Sequence, residues 1–174
     1  MNKKLIAVLA TVFYLAGCAS GVMRQPTAAA SHVTLSASNQ VASVSVSLTD
    51  EAKKKLTENL KFNQEELLRY VKRALEGNSL LNITSGTPLP VIEIQVKDMR
   101  VRSNFSAVMW GFMAGSDSIT GDIVLKSPEG KELDRYEVSV SYALGGVAGG
   151  QDDARMGWLY EKFAEETIKE LTRP

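Results

Sequence analysis

One cysteine, Cys18, and one histidine, His32, stand in a chain of 174 residues, and this scarcity restricts the available chemistry. A lone cysteine makes neither an internal disulfide nor a thiolate zinc cage. A lone histidine leaves little for a Ser-His-Asp triad or a histidine-based metal site, and His32 reads as a solvated residue with no ligand partners near it in sequence. Adjacent acids occur at Glu65-Glu66 and Asp152-Asp153. Side chains at i and i+1 of a helix do not face each other, and acids at a helix start act as caps. Glycosidase-type chemistry needs two carboxylates across a cleft, which this spacing does not supply. The run Gly145-Gly146-Val147-Ala148-Gly149-Gly150 lacks the Lys-Ser/Thr of a P-loop and is not a GxGxxG. It reads as a connection that lets the last helix pack back, with a gated loop as the alternative. Lys53-Lys54-Lys55 reads as a solvated helix face, the sharper alternative being contact with anionic lipid headgroups. With 20 basic and 20 acidic side chains, the chain offers no electrostatic case for nucleic acid. These residues predict a protein that is not an enzyme and needs no cofactor or metal.

Cys18 has a different context. Lys3 and Lys4 precede an apolar run, Leu5 to Tyr14, broken only by Thr11. The run is far short of the ~20 residues that span a bilayer as a helix. Leu15-Ala16-Gly17-Cys18 follows, the pattern of a secretory signal whose end resembles a bacterial lipobox. That resemblance implies cleavage before Cys18 and acylation of its thiol and new amine; an ordinary signal peptide with a chance cysteine is the alternative. Several acyl chains, at roughly 0.8 kcal/mol per buried CH₂, hold a protein stably at a membrane. Ala19, where sorting signals of enterobacterial lipoproteins place Asp for inner-membrane retention, implies the outer membrane by the same resemblance. Loss of residues 1–17 removes two lysines and no acid, which leaves 18 basic and 20 acidic side chains, a formal charge of −2.

The elements follow from periodicity. Residues 18–42 are rich in Ala, Ser and Thr, nearly uncharged and without a sustained period, which predicts a lipidated cysteine on a flexible tether. A single domain is expected over 43–174. Val44, Val46 and Leu48 alternate with serines as a strand, and a short helix is expected around 50–59. Asn63, with Glu66 three residues on, resembles a capping box ahead of the stripe Leu67, Leu68, Val71, Ala74 and Leu75. Ile92, Ile94 and Val96 alternate until Met99 and Val101 switch parity, the signature of a β-bulge. Ile119 to Leu125 and Leu133 to Leu144 make a hairpin over 118–143, joined through Ser127-Pro128-Glu129-Gly130 and wet on one face. Met156, Leu159, Tyr160, Phe163, Ala164, Thr167, Ile168 and Leu171 repeat at helical spacing. The class expected is α+β: a small, largely antiparallel sheet of about four strands with two main helices on one face, in the order β-α-β-β-β-α.

Between these elements, Phe105–Gly115 is crowded with apolar residues and carries no charge. It fits a buried strand or crossing segment. It also fits an exposed loop that docks a partner or enters the membrane, with Phe105, Met109, Trp110, Phe112 and Met113 as the candidate interface residues. A strand of an assembled barrel is a remoter possibility.

Residues 105–172 resemble the uncharacterised Gram-negative lipoprotein family known as domain of unknown function 4410. The resemblance is carried by Trp110-Gly111-Phe112-Met113-Ala114-Gly115, Thr120-Gly121-Asp122-Ile123-Val124-Leu125, Gly130-Lys131, the Gly145–Gly150 run and a final helix with Phe163-Ala164. Residues 43–100 share mainly its element order. It implies an envelope lipoprotein with a small α+β domain and no catalytic residues. The expected function is therefore a periplasm-facing, lipid-anchored accessory or assembly factor. Its partners are the membrane and either an envelope protein or further copies of itself. The alternatives are a self-assembling structural lipoprotein and a small-ligand binder with a pocket between the sheet and the final helix.

Overall fold

The strands form because apolar residues alternate, and the sheet's one-sidedness follows. In the computed structural model, which describes residues 19–24, 32–59, 61–102, 115–142 and 152–174, five strands build one mixed sheet. They are β1 (Ala19–Met23), β2 (Ser43–Leu48), β3 (Val91–Arg100), β4 (Asp117–Lys126) and β5 (Glu132–Tyr142), in the spatial order β1-β5-β4-β3-β2. All neighbours are antiparallel except β2 and β3, which are parallel. The crossover between those two holds α1 (Asp50–Lys55) and α2 (Gln64–Gly77); α3 (Asp152–Leu171) follows β5.

The α+β class is as expected, with five strands where about four were expected. The extra strand, β1, lies in the segment read as tether. Val22 packs against the core and Ser20 Oγ donates to Glu166 Oε1 at 2.9 Å. Residues 32–42 are also packed: Leu35 and Val41 are buried, with Leu35 N–H donating to Leu171 O at 2.7 Å and Val41 N–H to Leu80 O at 2.9 Å. Their backbone bonds go to distant elements and follow no local repeat, so no period marks them in sequence. The described parts of 18–42 are thus integral to the fold.

Other local expectations are met in detail. The register of β3 on β4 shifts between Val96 and Asp98, which is the bulge that the parity switch predicts. Gly130 N–H donates to Ser127 O at 2.9 Å and Gly130 has φ +84°, so the turn closes on its glycine. Asn63 caps α2, accepting from the N–H groups of Glu65 and Glu66 at 2.9 and 3.1 Å. The reciprocal half of a capping box is absent: Asn63 N–H donates to Tyr160 Oη at 2.7 Å, while Glu66 pairs with Arg69.

Helices α2 and α3 lie side by side over the face that bears Ile94, Ile119, Ile123, Val138 and Val140, all buried. Phe163 of α3 is fully buried at the centre. It needs Gly121 beneath it, since a Cβ there would stand 3.3 Å from Phe163 Cζ and 3.2 Å from Gln95 O. The other face is polar. Lys97 bridges Asp122 and Glu137 at 2.7 and 2.5 Å, and Lys126 pairs with Glu93.

Replacing Phe163 with Ala leaves a cavity in this contact and is expected to destabilise the domain by about 3–5 kcal/mol. Asn63→Ala, which removes one cap, is expected to cost about 1 kcal/mol. Equilibrium urea unfolding of the two variants measures both.

Candidate functional site

The end of the sheet where β3 finishes and β4 begins holds the most deeply buried charges. The register sets Arg100 opposite Ser118 and Asp117 opposite Tyr142, so the exits of three strands converge. Arg102, two residues beyond β3, donates to Asp117 through its backbone N–H (2.7 Å) and its guanidinium (Nη2 to Oδ2, 3.0 Å). It also donates to the carbonyls of Gly115 (2.8 Å) and Tyr142 (3.2 Å). Arg155, near the start of α3, sets Nε 3.5 Å from Asp117 Oδ2 and donates from Nη2 to Arg102 O at 3.2 Å. Asp117, Arg102 and Arg155 are all buried.

Two guanidiniums approach the one buried Asp117 carboxylate. Asp117 accepts three hydrogen bonds from Arg102, through its backbone N–H, Nε and Nη2, which makes the pair a structural clamp. The cluster holds the residue before the 103–114 connection, Gly115 after it, and Tyr142 before 143–151. Gly115 has φ +85°, a backbone conformation that side-chain-bearing residues rarely adopt, which favours glycine here. Phe105, Met109, Trp110, Phe112 and Met113 lie outside the described residues, as do Cys18, the Gly145–Gly150 run and the side chains of Asp152 and Asp153. What the structure adds is the position of their attachment points. The rings of Tyr142 and Trp158 meet beside this end, tilted at 48° with centroids 4.9 Å apart, both half-buried.

The other end of α3 carries a second cluster. Arg24, just past β1, reaches Asp134 Oδ1 and Glu170 Oε1, each at 2.6 Å, and its guanidinium lies 5.2 Å from the centre of the Tyr136 ring. His32, expected to be a solvated tether residue, joins it. Its Nε2 is 2.7 Å from Arg173 O, and a carbonyl only accepts, so Nε2 carries the proton. Nδ1 lies 2.8 Å from Arg24 Nη2 and 3.3 Å from Asp134 Oδ2. Burial alone would raise the Asp134 carboxyl; hydrogen bonds from Arg24 and the Val33 N–H outweigh it and hold Asp134 below the ordinary carboxylate range. The cluster is a clasp that ties the N-terminal segment to β5 and α3.

The remaining sequence candidates are surface features. Lys53 pairs with Asp50 and Lys55 with Asp98, and Lys54 is exposed, so the lysine run is a solvated face with two local ion pairs. Glu65 and Glu66 sit in the first turn of α2 beside the cap. The space between the sheet and α3, where a ligand pocket was expected in one reading, is filled by Leu159, Phe163, Ile123 and Val138. A groove of about 660 Å³ runs instead between α2 and α3, bordered by Tyr70, Arg73, Glu161, Glu165 and Lys169.

The sequence profile of the family described as domain of unknown function (DUF4410) matches residues 26–146. The match reaches far upstream of the 105–172 stretch that carries the motifs and stops short of α3. No curated protein matches the chain. Among solved structures, the chain is similar to a PelC dodecamer from Paraburkholderia phytofirmans at 10% identity, over 90% of this chain and 99% of that one, with a TM-score of 0.46. It is also similar to a minor lipoprotein from Acinetobacter baumannii at 9% identity, over 77% of this chain and 92% of that one, with a TM-score of 0.49.

Asp117→Asn removes the buried charge that pairs with Arg102 and is expected to destabilise the domain by about 3–5 kcal/mol in equilibrium unfolding. The clasp predicts an acid limb. Because the folded-state pKa of Asp134 is lowered, its stabilisation is full above about pH 4 and is lost as pH falls through the folded value. Unfolding free energies measured from about pH 5 down to about pH 2 should therefore fall less steeply in Asp134→Asn than in the native protein.

Proposed function

This chain belongs to the DUF4410 family, and from that premise we propose that it is an envelope lipoprotein. Its anchor is an acylated Cys18 in the outer membrane, and its domain faces the periplasm. It works by binding, as a non-catalytic accessory or assembly factor for an envelope complex. The observation that carries this reading is a junction. The apolar run and Leu15-Ala16-Gly17 precede Cys18, and every described strand, from Ala19 of β1 onward, follows it. A cut before Cys18 removes the apolar segment and leaves every residue of the sheet in place.

The side chains support binding over catalysis. Asp117 is clamped by two arginines, Asp134 and Glu170 are held by Arg24, and Lys97 sits between two carboxylates. A general base or acid needs a group poised to exchange a proton with a substrate, and each of these groups is committed to its partners. A lipid anchor confines the domain near the bilayer, which raises its effective concentration toward partners there.

The full-length protein, expressed in a Gram-negative host, is expected to gain the mass of a diacylglycerol and an acyl chain at Cys18 and to fractionate with the outer membrane. Cys18→Ser should be unacylated and released from the membrane. Mild crosslinking in detergent-solubilised envelopes should recover a distinct partner at fixed stoichiometry, weakened in Cys18→Ser. An unmodified Cys18 would overturn the anchor. Recovery of a homomultimer alone would replace the accessory role with self-assembly.

A further inference from the structure

We infer that the domain rests directly on the bilayer, with the end of the sheet that bears Arg100, Tyr142 and Trp158 turned to the lipid headgroups. This rests on the reading of Cys18 as the acylated residue, and it fixes which surface that anchor presents to the membrane.

Ala19, the first residue of β1, pairs with Ser141 of β5, next to Tyr142. Cys18 is one peptide bond away, so its Cα lies ~3.8 Å from that of Ala19. Acyl chains on Cys18 therefore enter the bilayer within a residue or two of this end of the sheet. The strand has no slack to give. All five residues of β1 pair with β5, Ser20 Oγ is bound to Glu166, and Arg24 is clasped by Asp134 and Glu170. Releasing the domain from the surface would require peeling an edge strand and breaking a half-buried ion cluster. The opposite turn, Ser127–Gly130, stands at the far end of β4, and strands of this length at ~3.3 Å per residue put it about 30 Å away.

The chemistry of the near end fits the headgroup layer. Tyr142 and Trp158 are half-buried with their rings in tilted contact, and Arg100 is exposed. Lys54 is exposed on α1, whose Lys55 reaches Asp98 of β3 close by. Trp and Tyr favour the membrane–water interface, and long cationic side chains lay apolar stems along it while their charges stay wet. The far turn, from Lys126 to Glu132, has two lysines and two glutamates on a solvated loop and no aromatic residue.

The test uses the acylated full-length protein in vesicles of phosphatidylethanolamine and phosphatidylglycerol carrying a headgroup-linked quencher. With Cys18 blocked by acylation, a fluorophore is placed at a single new thiol: Ser116→Cys or Arg100→Cys at the near end, Glu129→Cys at the far turn. Severalfold stronger quenching at both near positions than at 129 is expected. Equal quenching at the two ends, stronger quenching at 129, or no quenching anywhere would overturn the orientation. Intact mass and vesicle flotation of the same samples separate the two readings. An unacylated protein that does not float defeats the anchor and this inference together, whereas an acylated, floating protein with the wrong quenching pattern defeats the orientation alone.

Discussion

The packing of α3 across the sheet is the constraint on which the rest depends. Each long strand turns every second residue to one face, so the sheet has a single apolar surface to cover, and α3 with α2 covers it. The contact has to be close at Gly121, where the Phe163 ring nearly touches the strand. Once that contact sets the position of α3, both of its ends acquire partners. Its start brings Arg155 to Asp117, and its last turns bring Glu170 to Arg24 and the Leu171 carbonyl to Leu35. The two buried charge clusters are thus coupled through one helix. Each is expensive to bury in isolation and is tolerated because its hydrogen bonds are supplied from several elements at once.

Locally encoded structure was the part legible in the sequence. The serine–valine alternation of β2, the parity switch in β3, the Ser127–Gly130 turn and the Asn63 cap all state their geometry within a few residues. The capping box was half legible, because its second bond depends on Tyr160, 97 positions away. Strand β1 was not legible: Ser20-Gly21-Val22-Met23 is too short to establish a period, and its pairing with β5 is a tertiary choice. The clusters were invisible for the same reason. Arg24 and Asp134 are 110 positions apart, and Arg102 and Arg155 are 53 apart. A pattern of residue types cannot announce a meeting at that range. His32 illustrates the point: it has no ligand-like neighbours along the chain, yet it lies between Arg24 and the C-terminal carbonyl of Arg173.

The change of residues 19–24 from tether to strand alters the functional picture more than any other difference. A long flexible leash would let the domain search a shell of space around its anchor. With the anchor proposed at Cys18, a domain clasped at β1 instead has a defined height and orientation. On the proposed reading, partners meet it near the bilayer, and the polar outer face of the sheet and the α2–α3 groove remain turned to the periplasm. Arg102 and Gly115, the described residues that flank the uncharged segment 103–114, are held to each other and to Asp117 by the Arg102 guanidinium.

Native-state hydrogen exchange on the full-length protein reads the docking of β1 residue by residue. The amides of residues 20–23 that bond to β5 should exchange with protection comparable to the outer amides of β5 itself, and Arg24→Ala should lower that protection without unfolding the sheet. Exchange of residues 20–23 at the rate of a free peptide in the intact protein would contradict the account and return this segment to a flexible leash.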